Sequence, residues 1–208
     1  MFEAVLSFAL VAGLLTIVPG LDTALVLRAA VSRGRRHAFA TALGIGSGTL
    51  VWGAAAAAGV SVLLTASEVA YTALRVAGAL YLMWMGVTMI RAGLRRSPAL
   101  TNDIGDTPHG LLAAWARGVG TNLLNPKVGV FYVAMLPQFL PEGVPPLLMG
   151  CLLALIHNVE GMLWFTAVIT AATVARTWLT RDTVRRTLDT LTGTVVIGFG
   201  VRLAATDR

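Results

Sequence analysis

Six stretches of the chain are apolar over the roughly 20 residues that an α-helix needs to cross a bilayer. The clearest one extends from Ala38 through Ser67 without a charged side chain. The six predicted spans are Ala4 to Leu27, Ala38 to Leu64, Thr72 to Ile90, Gly118 to Leu136, Leu147 to Ala175 and Leu188 to Ala204. Because backbone polar groups in lipid must be satisfied within the spanning segment, we expect an all-α, polytopic membrane protein.

Composition supports this class and excludes others. The chain is 56% hydrophobic and 12% charged, with a mean hydropathy of +0.77, whereas soluble domains carry about 25% charged residues. The net charge of +6 does not indicate nucleic-acid binding, because the basic residues cluster in short loops between apolar runs. Cys151 is the single cysteine, which excludes a disulfide framework, a CxxC redox pair and a cysteine metal site. Without a Ser/His/Asp set or an ATP-binding motif, the sequence predicts neither an enzyme nor a cofactor.

Basic residues mark alternate loops. They are Arg28, Arg33, Arg35 and Arg36 after the first span, Arg91, Arg95, Arg96 and Arg117 around the loop after the third, and Arg176, Arg181, Arg185 and Arg186 after the fifth. These 12 of the 16 basic residues place their loops in the cytoplasm and both termini outside, by the positive-inside rule. The whole chain, 1–208, is predicted to be one transmembrane domain whose halves, 1–96 and 110–208, are joined by a polar cytoplasmic loop.

Two halves of three spans each must run in opposite directions, which is the arrangement of an inverted repeat. Gly13 lies six residues before Pro19, and Gly120 lies six residues before Pro126. Each proline falls inside the first span of its half. Broken helices at matched positions of two halves are the best sequence indication of a transport site, so we predict a 3+3 inverted repeat with broken helices 1 and 4.

The break in the first span is Pro19-Gly20-Leu21-Asp22. Pro19 frees backbone groups, and Gly20 is expected to let the chain unwind. Intramembrane carboxylates usually have a function, so Asp22 is predicted to bind a substrate ammonium or a proton. The alternative is a polar cap on a cytoplasmic half-helix, paired with Arg28.

The break in the fourth span contains Asn122, Asn125, Pro126 and Lys127. A lysine at this depth costs about 2.5 to 3.5 kcal/mol on insertion scales. Such a cost, together with a proline, is tolerated where a broken span lines a polar cavity. Lys127 is predicted to bind a substrate carboxylate or to pair with Asp22. The alternative is a structural lysine that neutralises exposed carbonyls at the break.

Polar residues also interrupt the fifth span, namely His157, Asn158 and Glu160. His157 and Glu160 are three residues apart and share a helical face. They could relay protons, since histidine titrates near neutral pH, or ligate a divalent cation, or form a polar patch against another helix. In the second span, Gly44 and Gly48 predict close helix packing.

Several motifs together resemble a known family. They are Pro19-Gly20-Leu21-Asp22, Gly34-Arg35-Arg36 followed by Gly44 and Gly48, Gly78-Ala79-x-Tyr81-Leu82-x-x-x-Gly86, and Asn122-Leu123-Leu124-Asn125-Pro126-Lys127 followed by Phe131 and Pro137-Gln138-Phe139. In this order, over nearly the whole chain, they resemble the lysine-exporter (LysE/RhtB) family of amino-acid exporters. Leu21 stands where the second proline of that family's PGP[N/D] motif is usual, so the geometry of the first break is less constrained.

The resemblance implies export of amino acids or their derivatives across a bacterial inner membrane, driven by the proton gradient or the membrane potential. It implies an amino-acid substrate and a lipid bilayer as partners, allows a homo-oligomer, and involves no nucleic acid, cofactor or resident metal. The substrate carboxylate would meet Lys127 or a half-helix N-terminus, and its ammonium would meet Asp22 or Glu160. The alternatives are a divalent-cation exporter of the same superfamily and a non-transporting membrane scaffold.

Overall fold

In the computed structural model, residues 1–66, 68–94, 110–141, 143–172 and 181–205 are described, and these contain helices and short connections but no β-strand. The α-helices are α1 Phe2–Ile17, α2 Leu21–Arg33, α3 Arg35–Ala66, α4 Glu68–Leu94, α5 Leu111–Leu123, α6 Pro126–Val130, α7 Pro146–Thr170 and α8 Asp182–Ala205. A π-helical turn, Phe131–Met135, and a 3₁₀ turn, Leu136–Phe139, continue α6. The polar loop predicted to join the two halves lies, from residue 95 to 109, outside the described residues.

Two of the six predicted spans, α3 and α7, each have the length and hydropathy of a membrane crossing within the described residues. The helices α1 and α2 meet the same criteria only when taken together, and the pair is bent by 53°, as in a broken span or a re-entrant loop. The other predicted spans correspond to α4, to the series from α5 through the 3₁₀ turn, and to α8. The architecture is therefore that of an all-helical, multi-pass membrane protein, while the count of six spans stays a prediction.

The fourth predicted span needs a correction at its start, whereas its break before Pro126 lies where the sequence predicts it. The expected range was Gly118 to Leu136, but the helix begins at Leu111 and ends at Leu123. Arg117 therefore lies inside α5 and not in the loop before it. Its charge lowers the local hydropathy, which hides the first two turns of the helix from a search for apolar residues.

Close backbone approach joins α3 to α5, as Gly44 and Gly48 predict. A Cβ added at Gly44 would overlap the carbonyl oxygen of Trp115, and one added at Gly118 would overlap that of Thr41. One added at Gly48 would lie 2.7 Å from Oδ1 of Asn122. The prediction of close packing is confirmed, and this packing sets Asn122 directly against α3.

A reciprocal glycine contact joins α3 to α7. A Cβ at Gly53 would lie 3.2 Å from the carbonyl oxygen of Gly150, and a Cβ at Gly150 would lie 3.2 Å from that of Gly53. Gly53 also faces Ala154, four residues after Gly150, while Gly150 faces Ala57, four residues after Gly53. The two helices therefore run antiparallel through this contact.

The same reciprocity joins α4 to α8. A Cβ at Gly86 would lie 2.6 Å from the carbonyl oxygen of Gly193, and a Cβ at Gly193 would lie 2.6 Å from that of Gly86. Gly86 faces Ile197 and Gly193 faces Ile90, each four residues beyond the partner glycine. This second pair of helices is thus also antiparallel, and no larger side chain fits at either glycine.

Candidate functional site

The first break separates α1 from α2 at Val18, Pro19 and Gly20. Val18 is extended, with φ −67° and ψ 118°, as expected for a residue that precedes a proline. Gly20 has φ −136° and ψ −163°, which is extended backbone that any residue can adopt. The expectation that Gly20 supplies special freedom is therefore wrong, and the break follows from Pro19. Its consequence is that the last carbonyls of α1 have no helical donors.

The second break, between α5 and α6, is closed by its own residues. The side-chain oxygen of Asn125 accepts a hydrogen bond from the backbone N–H of Lys127 at 3.1 Å. The carbonyl of Asn125 accepts from Val128 at 3.1 Å and from Gly129 at 3.0 Å. Pro126 occupies the first helical position, where its missing N–H costs nothing. Asn125 is thus the N-cap of α6.

The side chain of Lys127 completes the first break. Its Nζ donates to the carbonyl oxygen of Leu15 at 2.7 Å and to that of Val18 at 3.1 Å. These carbonyls lie at the negative end of the α1 dipole, where a cation is stabilised. The described contacts of Lys127 therefore match the alternative interpretation, a lysine that neutralises carbonyls, with the difference that the carbonyls belong to the other break.

Asp22 lies in the first turn of α2 and faces Asn122 of α5. Its Oδ2 accepts a hydrogen bond from Nδ2 of Asn122 at 2.9 Å, which links the two breaks a second time. Its Oδ1 is buried and has no hydrogen-bond partner among the described residues. Asn122 is 1% exposed, and its carbonyl accepts a long hydrogen bond of 3.4 Å from Nε1 of Trp52. The side chain of Asn125 also lies within hydrogen-bonding reach of this carboxylate, so Asp22 contacts both asparagines of the second break.

The polar residues of α7 separate into two groups. The ring of His157 joins Tyr132 and Thr16, with Nδ1 at 3.0 Å from the Tyr132 hydroxyl and Nε2 at 3.1 Å from the Thr16 hydroxyl. Asn158 donates from Nδ2 to the carbonyl of Gly46 at 3.0 Å.

Glu160 forms the second group and contacts a different surface. Its carboxylate lies against α1, where a Cβ added at Gly13 would be 3.6 Å from Oε1. Its Oε2 is buried without a hydrogen-bond partner among the described residues.

These elements enclose a small cavity between the two breaks. Of the ten residues that the sequence singles out, seven line it, namely Gly20, Asp22, Asn122, Asn125, Lys127, His157 and Asn158. Pro19, Pro126 and Glu160 are not part of the lining. The cavity volume is about 60 Å³.

Three hydroxyl residues of the lining were missed by the sequence reasoning, namely Thr16, Thr23 and Thr49. Thr16 bonds to His157, Thr23 accepts a 3.4 Å bond from Nε1 of Trp164, and Thr49 donates to its own helix. The sequence feature that could have identified these three residues is a threonine hydroxyl within an otherwise apolar span. No group of three or more His, Cys, Asp and Glu side chains suited to a metal occurs in the described part of the chain.

Comparisons with known proteins show which family the chain resembles. A profile of the family described as LysE type translocator matches residues 6–207. The chain is 31% identical over 189 residues to a threonine efflux protein of Salmonella typhi, covering 89% of each chain. It is 29% identical over 201 residues to a leucine efflux protein of Klebsiella pneumoniae, covering 96% of this chain and 93% of the other.

A third relative, a homoserine/homoserine lactone efflux protein of Salmonella typhi, is 28% identical over 210 residues, covering 98% of this chain and 97% of the other. No solved structure matches the chain. The profile match extends over nearly the whole sequence and includes both helix breaks. This chain therefore belongs to the LysE-type translocator family.

Proposed function

We propose that this chain exports amino acids or amino-acid derivatives across the bacterial inner membrane. The observation that carries the proposal is the polar cavity between two helix breaks, with the Asp22 carboxylate and the Lys127 ammonium in one lining. Efflux proteins for threonine, leucine and homoserine among the relatives support an amino-acid substrate. A non-transporting scaffold has no need for such charges in an apolar protein, because burying them is costly.

The cavity suits a zwitterion. An ammonium group has three N–H donors, and two of those on Lys127 are directed to α1 carbonyls. The third remains for a substrate carboxylate, while Oδ1 of Asp22 can accept from a substrate ammonium. Apolar side chains complete the lining, among them Ile45, Met162 and Phe165, and would contact the substrate side chain. No cluster of metal-binding side chains in the described residues favours the divalent-cation alternative.

For the transport path we propose Pro19 and Pro126 as the residues that create the breaks, and the seven cavity residues as those that contact the substrate. Glu160 remains part of the proposed path as a candidate proton carrier, separate from the cavity and next to Gly13. Movement of a proton through Glu160 or Asp22 would couple export to the proton gradient or the membrane potential.

We further propose six spans in a 3+3 inverted repeat, with both termini periplasmic. The antiparallel, reciprocal glycine contacts between α3 and α7 and between α4 and α8 support it. A twofold axis in the membrane plane would exchange the second span with the fifth and the third with the sixth. The two spans of each exchanged pair would then run in opposite directions. Reporter fusions test the orientation, since a periplasmic reporter at the C-terminus should be active and a cytoplasmic one inactive.

Transport in inverted membrane vesicles tests the function. Inverted vesicles should accumulate labelled threonine, homoserine or leucine when energised, and an uncoupler should abolish the accumulation. Vesicles with the Asp22→Asn protein at equal abundance are the matched control and should accumulate at least about tenfold less, which corresponds to about 1.4 kcal/mol. Energised vesicles that accumulate no amino acid of a complete panel above the level of empty-vector vesicles would contradict the proposal.

A further inference from the structure

The ammonium of Lys127 occupies a site with the chemistry of a monovalent-cation site. Its two described acceptors, the carbonyl oxygens of Leu15 and Val18, lie at the C-terminal end of a broken helix. In transporters with broken helices, unwound carbonyls and half-helix C-terminal ends are the groups that coordinate Na⁺. The carboxylates whose charges act on this ammonium are those of Asp22 and Asp189. Neutral carbonyls near a carboxylate suit any small cation.

The type of side chain is informative as well. Lys127 is the only lysine of the chain, whose other 15 basic residues are all arginine. An ammonium is a compact point charge with rotatable donors, whereas a guanidinium is a planar fork suited to carboxylate and phosphate groups. The carbonyls at the end of α1 are therefore bound by the basic group that most resembles a bare monovalent cation.

We propose that the Lys127 ammonium is a resident cation, covalently attached to one half of the protein and bound in a carbonyl site of the other half. The wild-type protein then needs no free Na⁺, because the site is already filled. Removing the side chain opens the site to a small exogenous monovalent cation, such as Na⁺ or ethylammonium. The export part of this inference rests on the proposed function, whereas cation binding itself does not.

Thermal unfolding of purified protein tests the binding directly. The Lys127→Ala protein should gain about 5 °C in Tm when choline is replaced by saturating Na⁺ or ethylammonium, as expected for a ligand that binds only the folded state. Wild type should show no such gain. The matched control is Lys127→Met, whose uncharged side chain fills the space, so its Tm should not respond either. A Lys127→Ala Tm that is equal in all three salts, or an equal gain in Lys127→Met, would overturn the proposal.

Export provides the second measurement. Wild-type vesicles should transport equally in sodium and choline media, and Lys127→Ala vesicles should recover at least about tenfold in rate with Na⁺ or ethylammonium, or about 1.4 kcal/mol. Wild-type export that falls tenfold in choline would overturn the proposal even if Lys127→Ala cannot be purified. If the Tm of Lys127→Ala depends on the cation but neither wild type nor any variant exports an amino acid, the cation site is supported and the exporter assignment is rejected.

Discussion

The two helix breaks are similar in sequence position but differ in how their backbone groups are satisfied. The break before α6 is local, since Asn125 caps the helix with its side chain and its carbonyl accepts from the first turn. The break before α2 has no side-chain cap, and the carbonyls of Leu15 and Val18 receive their donors from Lys127. The backbone groups of the second break are capped by its own residues, whereas those of the first break receive donors from a side chain of α6.

This difference shows how a short polar motif can connect helices that are distant in the chain. Asn125 and Lys127 are two residues apart, yet the first caps its own helix and also reaches Asp22, whereas the second donates to the carbonyls of α1. The hydrogen bond from Asn122 to Asp22 adds a further link between the breaks. Any motion of α1 and α2 relative to α5 and α6 must therefore break these contacts or carry them along.

The largest effect is expected from removing the Lys127 ammonium, which connects α6 to α1. Lys127→Met leaves two carbonyls of α1 without donors, at about 1 to 3 kcal/mol for each buried group. The free energy of unfolding should fall by about 2 to 6 kcal/mol, measured by denaturation in mixed detergent micelles. Arg36→Met, at an exposed position of α3, is the control and should change it by less than about 0.5 kcal/mol. Equal stability of the two variants would contradict the role of Lys127 in joining α6 to α1.

The Asp22→Asn substitution removes the charge of this side chain and keeps its shape, so its effects on export and on stability should differ. An asparagine oxygen at this position can still accept from Asn122, so the free energy of unfolding should change by about 1 kcal/mol at most, the difference between charged and neutral hydrogen bonds. Export in inverted vesicles should fall at least about tenfold, or about 1.4 kcal/mol, because the substrate ammonium loses its anion. Wild-type export by the inserted variant would make Asp22 a helix cap only.

The local break should be less sensitive. Asn125→Ala removes the N-cap of α6 and should lower the free energy of unfolding by about 1 kcal/mol, within a range of about 0.5 to 2. Asn125→Ser keeps a capping oxygen and should remain within a few tenths of wild type. A loss in Asn125→Ala as large as that in Lys127→Met would remove the contrast between the two breaks.

The smallest effect is expected at Gly20. Its backbone is in the extended region, and an added Cβ would lie 3.8 Å from Nζ of Lys127, which is ordinary contact. Gly20→Ala should therefore change the free energy of unfolding by less than about 0.5 kcal/mol, as for substitutions away from packed features. The thermal melting of Gly20→Ala should be compared with that of Gly44→Ala, whose added Cβ overlaps the Trp115 carbonyl. A Gly20→Ala loss equal to that of Gly44→Ala would show a backbone requirement at the first break.

Much of the fold follows from the sequence because it depends on local properties. Apolar runs locate the helices, Pro19 and Pro126 locate both breaks, and Gly44 predicts the approach of α3 to α5. The start of α5 at Leu111 could not be found by hydropathy, because Arg117 interrupts the apolar pattern.

The candidate site was predictable only in part. Chain position shows that Asn122 and Lys127 belong to a break, but it does not show which acceptors each one meets across the protein. The same limit applies to His157, whose partners Tyr132 and Thr16 come from two other elements. Glu160 resembled a cavity residue because of its depth in the span, yet its carboxylate faces Gly13.

The central claim, that substrate occupies the cavity between the breaks, is tested most directly by substrate protection of a single cysteine. Cys151 is the only cysteine and is exposed, so Cys151→Ala gives a cysteine-free background. Thr49→Cys places a thiol in the cavity lining, and Gly110→Cys places one at an exposed position before α5. An exported amino acid should slow modification of Thr49→Cys by a small thiol reagent at least about tenfold, or about 1.4 kcal/mol, and leave Gly110→Cys unaffected. Equal modification rates of Thr49→Cys with and without saturating substrate would contradict the account.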